Sequence, residues 1–333
     1  MAETKTERLR VLVLDDYEGL ATQVPAIEKL QAKADGAVMR NRLVTDEELG
    51  RALKGIHAIL LMRERTRFGE KQLSLAPDLK LISQTGRGIA HLDLPAATRR
   101  GIAVSVTPND SGISTVELTF GLIFALLRQI PQIDRRMRQE AWPAIPGQLL
   151  EGKTIGIVGL GRIGKQVASI ARAFNTRVLA TAKTLTDDRA REVGAERVSL
   201  EGILRESDIV TLHFPLNQDT RGLIGEKEIS LMKAGALLIN TSRGPIVSES
   251  ALLHALEKGK LGGAGLDVYD EEPLPINHPL RRLSNVVLLS HRGYATVEIL
   301  RERFELAMDN ILSFLDGKPT NLLNPEVPAQ GRK

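Results

Sequence analysis

The chain contains no cysteine, few aromatic residues and no long apolar run. The absence of cysteine excludes disulfide bridges, thiolate metal sites and a cysteine nucleophile, and it suits a reducing compartment. Aromatic residues make up 3% of the 333 residues, so Leu, Ile, Val and Ala are expected to build the core. No apolar run is long enough to cross a bilayer, and the N-terminal residues lack the apolar segment of a signal peptide. We therefore predict a cytoplasmic protein that binds no membrane.

The charge pattern gives no sign of a nucleic-acid surface. The net charge is +4, but acidic and basic residues alternate along the chain and no long Lys/Arg block or aromatic platform occurs. Hydrophobic residues make up 42% and charged residues 26%, which is ordinary for a globular protein. We expect no nucleic-acid partner and no bound metal.

Short apolar runs alternate with helical patterns almost throughout, which predicts βαβ units and parallel sheets. The strands predicted in the first third are Val11–Asp15, Ala37–Arg40, Ala58–Met62, Lys80–Ser83 and Ala103–Val106. Those predicted further on are Thr154–Gly159, Arg177–Ala180, Asp208–His213, Ala236–Asn240, Gly263–Val268 and Val286–Ser290. These are too many strands for one ordinary sheet, so two α/β domains are expected, each with a doubly wound parallel sheet.

A cluster of turn-forming residues at 107–112 predicts the boundary between the domains. Residues 115–130 follow as a long apolar helix by their 3.6-residue periodicity, before a Pro- and Gly-rich stretch around residues 142–147. An amphipathic helix predicted at 295–316 comes after the last strand of the second sheet. It is expected to return to the first domain, so the domains become 1–106 with 295–333, and 107–294.

The strand that begins at Thr154 runs directly into a GxGxxG sequence, and a helical pattern follows. Gly159 permits the tight turn, Gly161 lets the backbone approach a pyrophosphate, and Gly164 lets the helix pack closely on the strand. The start of the helix then offers free N–H groups and a positive dipole end to phosphates. A Gly-rich turn without a ligand is the alternative, but the preceding strand and following helix favour dinucleotide binding.

The next strand lacks the acidic residue that usually binds the adenosine ribose of NAD at its end. It runs instead into Thr181-Ala182-Lys183-Thr184. Without a carboxylate nothing repels a 2′-phosphate, and Lys183 or Thr184 can contact one. The sequence therefore favours NADP slightly over NAD, unless Lys183 merely points into solvent.

Three later strands end in reactive side chains, and the carboxyl ends of parallel strands face the ligand-binding crevice. Arg243 follows one strand, Glu272 the next and His291 the last. A guanidinium can bridge the carboxylate and carbonyl oxygen of a 2-oxo acid, and an imidazole can protonate that oxygen as hydride arrives. Glu272 can orient the imidazole by a hydrogen bond. Alone, each could be a cap, a solvated acid or a structural histidine; together they predict an active site.

Four motifs in the same order resemble those of the D-isomer-specific 2-hydroxyacid dehydrogenases, and the resemblance covers nearly the whole chain. They are the glycine loop 159–164, HisPheProLeu at 213–216 with Asn217 and Thr220, AsnThrSerArgGly at 240–244, and LeuAspValTyrAspGluGluPro at 266–273. The resemblance implies a flavodoxin-like substrate-binding domain, a Rossmann cofactor domain, and usually a homodimer associated through the latter.

The resemblance also assigns roles. It implies that Arg243 binds substrate, Glu272 supports the base and His291 is the acid/base, with Asp267 on the nicotinamide carboxamide and Pro215 beside the adenine. The full set of expected cofactor-binding residues is Gly159, Leu160, Gly161, Arg162, Ile163, Gly164, Lys183, His213, Pro215, Thr220, Thr241, Asp267 and Gly293.

Two segments of the first domain resemble parts of the family's substrate site. Residues 85–93 resemble the loop whose backbone amides, near Arg87 and Gly88, hold the substrate carboxylate. Residues 62–66 resemble a segment with phosphate-binding arginines, so Arg63, Arg65 and Arg87 could favour a substrate with a second anionic or polar group. Structural ion pairs are the equally weighted alternative for these arginines.

The chain departs from the family pattern around the histidine, where Ser290 replaces the usual Pro and Arg292 and Tyr294 replace small residues. This departure bears on the identity of the substrate rather than on the reaction. We predict an NAD(P)-dependent dehydrogenase of a small 2-hydroxy or 2-oxo acid, with its site in a cleft between the domains. A dinucleotide-sensing, corepressor-like regulator is the main alternative. An amino-acid dehydrogenase would need a lysine at these strand ends, where the sequence has none.

Overall fold

The computed structural model describes residues 8–108, 112–139 and 142–327. The chain divides into two compact units, which are Met1–Asp110 with Thr296–Lys333 (unit 1) and Ser111–Ala295 (unit 2). Residues 109–111, part of the predicted boundary cluster, lie outside the described residues. The two units meet after residues 110 and 295, whereas the sequence predicted boundaries after residues 106 and 294.

Unit 1 contains a five-stranded parallel sheet with the strand order β2-β1-β3-β4-β5. Its elements are β1 (Arg10–Leu14), α1 (Ala26–Lys33), β2 (Asp35–Val38), α2 (Asp46–Leu53), β3 (Ala58–Leu61), α3 (Glu70–Ser74), β4 (Leu81–Gln84), α4 (Leu94–Arg99) and β5 (Ala103–Val106). This order is the flavodoxin-like one, which confirms the predicted fold class. The C-terminal helix Val297–Leu315 also belongs to unit 1, where Ser83 Oγ donates to the carbonyl of Ala307 at 2.8 Å.

Unit 2 contains a seven-stranded parallel sheet with the order β12-β11-β10-β9-β6-β7-β8. Its elements are α5 (Ile113–Leu127), α6 (Ile130–Gln139), β6 (Thr154–Val158), α7 (Arg162–Ala173), β7 (Arg177–Thr181), α8 (Asp187–Arg191), β8 (Glu196–Arg197), α9 (Leu200–Glu206), β9 (Ile209–Leu212), α10 (Glu226–Leu231), β10 (Ala236–Asn240), α11 (Glu249–Glu257), β11 (Leu261–Leu266) and β12 (Val286–Leu288). β8 was not predicted, because two exposed charged residues carry no strand periodicity.

The apolar runs become strands because helices cover both faces of the unit 2 sheet, which leaves no polar face to alternate with an apolar one. Every residue of β6 and of β10 is buried. The helix predicted at 115–130 instead ends at Leu127, and α6 begins at Ile130. Gln129 between them has a φ of 51°, a left-handed conformation that a continuous right-handed helix cannot contain.

No single helix in the described ranges is long and apolar enough to span a membrane. Taken together, α5 and α6 reach that length and apolar composition, but the chain bends by 57° between them. Within the same ranges, no group of three or more His, Asp or Glu side chains is arranged to hold a metal ion.

Candidate active site

The carboxyl ends of β10, β11 and β12 lie side by side, because these strands are consecutive neighbours in the sheet. Asn240 at the end of β10 pairs in register with Leu266 of β11, which in turn pairs with Leu288 of β12. Arg243, Glu272 and His291 follow these three strand ends in the sequence. Strand order therefore places the three predicted side chains at one edge of the sheet.

His291 and Glu272 form a direct pair. The Nδ1 atom of His291 lies 2.7 Å from Oε2 of Glu272, and the other carboxylate oxygen, Oε1, accepts the backbone N–H of Tyr269 at 3.0 Å. Because a carboxylate accepts at Nδ1, that nitrogen carries the proton and Nε2 is left to face a ligand. Both side chains are about two-thirds or more buried, with exposed fractions of 27% for His291 and 34% for Glu272.

Electrostatics keep Glu272 ionised. Partial burial by itself raises the pKa of this carboxyl, but the hydrogen bond and charge of His291, the N–H of Tyr269 and the charge of Arg243 outweigh burial. The net pKa of Glu272 is therefore below its usual value. Glu272 and His291 are thus in direct contact, and the charge of Arg243 acts on the same carboxylate.

The loop that carries Arg243 is held by polar contacts from two strands. The side-chain amide of Asn240 donates to the carbonyl of Arg243 at 2.9 Å, while its oxygen accepts the N–H of Ser242 at 3.0 Å. Ser242 Oγ donates to the carbonyl of Leu212, at the end of β9, at 2.6 Å. Arg243 itself is partly exposed, and its Nη1 donates to the carbonyl of Ser242 at 2.8 Å.

Gly244 fixes this loop against the segment that leads to Glu272. A Cβ atom built on Gly244 would lie 2.0 Å from the carbonyl carbon of Tyr269 and 2.5 Å from the nitrogen of Asp270. No side chain fits there, so the glycine sets the separation of the arginine and glutamate loops. The sequence contains this glycine next to Arg243, but the contact that requires it is visible only in the structure.

Asp267 organises the segment after β12. Its backbone carbonyl accepts the N–H of His291 at 2.8 Å, and its two carboxylate oxygens accept the N–H groups of Arg292 at 2.6 Å and Gly293 at 2.7 Å. His291 has a φ of 57°, an uncommon conformation that these hydrogen bonds hold in place. Burial raises the pKa of Asp267. Asp267 thus positions the histidine, a role that the sequence did not reveal.

Tyr294 and Tyr269 complete the surroundings of the pair. The Tyr294 ring meets the His291 ring edge to face, with centroids 6.3 Å apart. Tyr269 is buried, its hydroxyl donates to the carbonyl of Leu289 at 2.7 Å, and burial raises its pKa to about 12. Its hydroxyl therefore stays protonated and acts as a structural donor.

The predicted phosphate loop has the form that a dinucleotide requires. A Cβ on Gly159, whose φ is 103°, would lie 2.4 Å from the carbonyl oxygen of His213, and one on Gly164 would lie 2.1 Å from that of Gly159. A Cβ on Gly161 would meet no protein atom within 4 Å. Gly159 and Gly164 thus allow close packing, whereas Gly161 leaves open space where a ligand can approach the start of α7.

Other predicted cofactor residues line this end of the sheet or support it. His213 is buried, its Nε2 lies 2.9 Å from Thr211 Oγ1, and burial lowers its pKa to about 3. Thr241 Oγ1 lies 3.3 Å from Thr119 Oγ1, and the carbonyl of Gly293 accepts from Thr115 at 2.9 Å. These residues support the loops, and their predicted contacts with cofactor stay predictions.

The loop after β9 contains Pro215, which is exposed, and Thr220, whose Oγ1 donates to the carbonyl of Pro215 at 2.9 Å. Lys183, just beyond β7, is 89% exposed and its Nζ lies 3.3 Å from Oδ2 of Asp219. Lys183 therefore points outward, as one reading of the sequence allowed, but toward an acidic partner that the sequence did not suggest.

Comparison with known proteins identifies the family. The NAD-binding domain of D-isomer-specific 2-hydroxyacid dehydrogenases matches residues 120–293. The chain is 43% identical to a glyoxylate reductase from Aeropyrum pernix over 265 residues, 77% of this chain and 79% of that protein. The chain belongs to the D-isomer-specific 2-hydroxyacid dehydrogenases.

Further relatives agree with this assignment. A D-3-phosphoglycerate dehydrogenase from Bacillus subtilis is 38% identical over 262 residues, which span 78% of this dehydrogenase and 50% of that protein. The structure of a phosphoglycerate oxidoreductase from Vibrio cholerae superposes with a TM-score of 0.86 at 32% identity, covering 92% of this chain and 99% of the other. The dehydrogenase thus carries out NAD(P)-linked oxidoreduction of 2-hydroxy acids, and no finding supports the regulatory alternative.

Unit 1 of the dehydrogenase holds the predicted substrate-binding residues on a tightly packed loop. A Cβ on Gly88 would lie 2.1 Å from Glu64 Oε1, and one on Gly86 would lie 2.9 Å from Arg63 Nη1. The side-chain amide of Gln84 donates to the carbonyl of Gly88. The backbone N–H groups of Arg87 and Gly88 have no acceptor among the described residues.

The arginines of this segment differ in their surroundings. Arg65 forms a double hydrogen bond with Glu18 at 2.6 and 2.8 Å and lies over the Tyr17 ring at 4.7 Å. Its side chain is 13% exposed, so Arg65 has the structural ion pair that was one reading of the sequence. Arg87 is exposed, and Arg63 adopts a φ of 59° beside Gly86.

Proposed function

We propose that this dehydrogenase reduces a small 2-oxo acid, of the size of glyoxylate or hydroxypyruvate, to the D-2-hydroxy acid. Several relatives named glyoxylate reductase support this choice, at 38% to 43% identity. The Tyr294 ring beside His291 supports it as well, because an aromatic side chain at this position reduces the space for a large substituent.

The observation that carries the proposal is the pairing of His291 with Glu272. The nicotinamide dinucleotide supplies or accepts the hydride when bound. Arg243 binds the carboxylate and carbonyl oxygen of the substrate with its planar fork. His291, held by Glu272 through Nδ1–H, takes a second proton on Nε2 from solvent and delivers it to the oxygen of the reduced carbonyl, and Nε2 takes that proton back in the reverse direction.

A substrate panel tests this proposal. Purified protein would be assayed for oxidation of NADH and NADPH with glyoxylate, hydroxypyruvate, pyruvate, phenylpyruvate, 2-oxoglutarate and phosphorylated 2-oxo acids. We expect the highest kcat/KM with glyoxylate and hydroxypyruvate. His291→Ala should lower kcat by about 100-fold or more while dinucleotide binding persists. Turnover of His291→Ala within a few-fold of the wild type would contradict the proposed acid/base role.

We propose further that the N–H groups of Arg87 and Gly88 bind the substrate carboxylate, and that Arg63 and Arg87 recognise a second polar or anionic group. The double variant Arg63→Ala with Arg87→Ala should then weaken binding of a phosphorylated 2-oxo acid far more than binding of glyoxylate. Equal losses on both substrates would contradict this assignment, because they would indicate a general structural role.

For the cofactor we propose a slight preference for NADPH over NADH. No carboxylate stands directly at the end of β7, where the acid that binds the adenosine ribose stands in NAD-binding Rossmann domains, and the sequence there has Lys183 and Thr184 instead. Measurement of Kd for both dinucleotides tests this preference, and clearly tighter binding of NADH would contradict it.

We also propose that the protein is a homodimer joined through unit 2. None of the described residues of α6 is buried, and apolar side chains stand exposed on it and on the segment that follows. They are Ile130, Met137, Trp142 and Leu149, exposed by 53%, 45%, 82% and 73%. Sedimentation should give the mass of a dimer, and Trp142→Ser with Leu149→Ser should shift it toward the monomer.

The predicted cytoplasmic location would be tested by cell fractionation.

A further inference from the structure

An exposed ion pair spans the strand that leads into the phosphate loop. Lys183 lies just beyond the end of β7, and Asp219 lies in the loop after β9. β7 and β9 are the two neighbours of β6, so these loops flank the phosphate loop on opposite sides. The Lys183 Nζ and Asp219 Oδ2 atoms meet at 3.3 Å, which places one positive and one negative charge together at this end of the sheet.

The loop that carries Lys183 is braced. Leu185 is buried, and the guanidinium of Arg189 donates to the carbonyl of Thr184 at 3.1 Å. Thr186 then caps α8 through its side chain. Lys183 is therefore the exposed tip of a loop whose backbone is held on both sides.

The loop that carries Asp219 is braced in the same way. The side-chain oxygen of Asn217 accepts the N–H of Asp219 at 2.9 Å and that of Thr220 at 3.1 Å. Thr220 Oγ1 closes the loop on the carbonyl of Pro215. Because the Lys183 and Asp219 side chains are 89% and 77% exposed, their ion pair adds little to stability. Both charges are instead open to any group that approaches this end of the sheet.

We propose that Asp219 opposes Lys183 at the adenosine ribose and that the two charges together set the choice between NADH and NADPH. This inference rests on the proposed cofactor use and deepens it. Alone, Lys183 attracts a 2′-phosphate. Asp219 neutralises Lys183 and repels the phosphate, and it supplies from a neighbouring loop the carboxylate that is missing at the end of β7. The wild-type preference is accordingly small.

The effect is predicted to be selective and sensitive to salt. A phosphate carries between one and two negative charges near neutral pH, so it responds strongly to a nearby unit charge, whereas ribose hydroxyls are neutral. Surface charges are screened over about 8 Å at physiological ionic strength, so the selectivity should weaken as salt rises. Arg189 is a second cation near Thr184, and it stays in place in every variant below.

Binding measurements on the full chain test the inference. Kd for NADH and NADPH would be measured by calorimetry at low and high salt for Asp219→Asn, Lys183→Gln and the double variant. At low salt, Asp219→Asn should shift the Kd ratio toward NADPH by about 5- to 10-fold, and Lys183→Gln should shift it toward NADH by a similar factor. The double variant should return near the wild-type ratio.

Glu201→Gln is the matched control. Glu201 pairs with Arg205 on α9 at 2.8 Å, and the two side chains are 62% and 57% exposed, so this variant also removes one paired surface carboxylate. We expect Glu201→Gln to keep the wild-type ratio of the two Kd values. The inference is overturned if Asp219→Asn and Lys183→Gln also keep the wild-type ratio. It is overturned as well if Glu201→Gln shifts the ratio as much as they do.

The binding readout separates this inference from the proposed reaction. The predicted Kd shifts without turnover of any 2-oxo acid would contradict the proposed substrate and leave the role of Asp219 supported. Turnover with unchanged Kd ratios would do the reverse. If neither dinucleotide binds, both proposals fail.

Discussion

Gly244 packs against the peptide carbonyl of Tyr269 so closely that a Cβ on the glycine would lie 2.1 Å from the carbonyl oxygen. Through this contact the loop with Arg243 and the loop with Glu272 share a fixed separation. Gly244→Ala must push them apart, and displacement of catalytic groups by about 1 Å can cost about 100-fold in rate. We expect kcat/KM to fall by that factor and the free energy of unfolding to fall by about 1–3 kcal/mol.

Gly121→Ala is the control for Gly244→Ala. Gly121 is an exposed residue inside α5, and a Cβ there would meet no atom within 4 Å. Alanine should therefore raise stability by about 0.5–1 kcal/mol, because it favours the helix, and should leave the site untouched. Chemical unfolding and steady-state kinetics measure both variants. Wild-type kcat/KM in Gly244→Ala would show that the loop contact is unimportant.

The charge of Glu272 should matter only where the carboxyl is ionised. Its pKa is lowered below the usual 4.5, so the carboxylate that accepts from His291 is present above that pH and is lost as pH falls through the lowered value. Glu272→Gln keeps the shape but removes the charge, and we expect kcat to fall by about 10-fold or more at pH 7. The ratio of wild-type to variant kcat should shrink only below pH 4.5, as pH falls through the lowered pKa of Glu272. A ratio near one at pH 7 would contradict the pairing's proposed role.

The glycines of the phosphate loop should separate folding from ligand binding. Gly159→Ala places a Cβ 2.4 Å from the His213 carbonyl oxygen at a φ of 103°, so it should lower the free energy of unfolding by about 2 kcal/mol or more. Gly161→Ala meets no protein atom within 4 Å, so the fold should stay intact while dinucleotide binding weakens about 10-fold or more. Thermal unfolding and calorimetry distinguish the two. Tight binding by Gly161→Ala would mean that the dinucleotide does not approach there.

Buried His213 should make the protein sensitive to mild acid. Burial lowers its pKa from 6.5 to about 3, so the unfolded chain takes up a proton below pH 6.5 that the folded chain does not. Stability contributed by the neutral histidine is complete above pH 6.5. It should decline by about 1.4 kcal/mol for each pH unit below 6.5 until the folded-state pKa is reached.

Urea unfolding of His213→Gln between pH 7.5 and 4.5 tests this dependence. The variant should lose stability less steeply on acidification than the wild type does. Exposed His254 provides the comparison, since His254→Gln should retain the wild-type slope. Equal slopes in His213→Gln and the wild type would contradict the assignment.

The sequence by itself determined the features that depend on local pattern. Apolar runs between helical periods predicted eleven of the strands, because a sheet covered on both faces needs continuous apolar side chains. The spacing of Gly159, Gly161 and Gly164 marked the phosphate loop, because each glycine answers a local steric requirement. Arg243 and His291 could be found because each lies three residues beyond the end of a recognisable strand.

Only the tertiary structure decided which of these features meet. Neighbouring positions of β10, β11 and β12 join Glu272 to His291, and the packing of Gly244 on Tyr269 sets their distance from Arg243. Asp219 reaches Lys183 across 36 residues because β9 and β7 both flank β6. No local pattern encodes such contacts, since strand order and close packing arise from the burial of apolar surface over the whole unit.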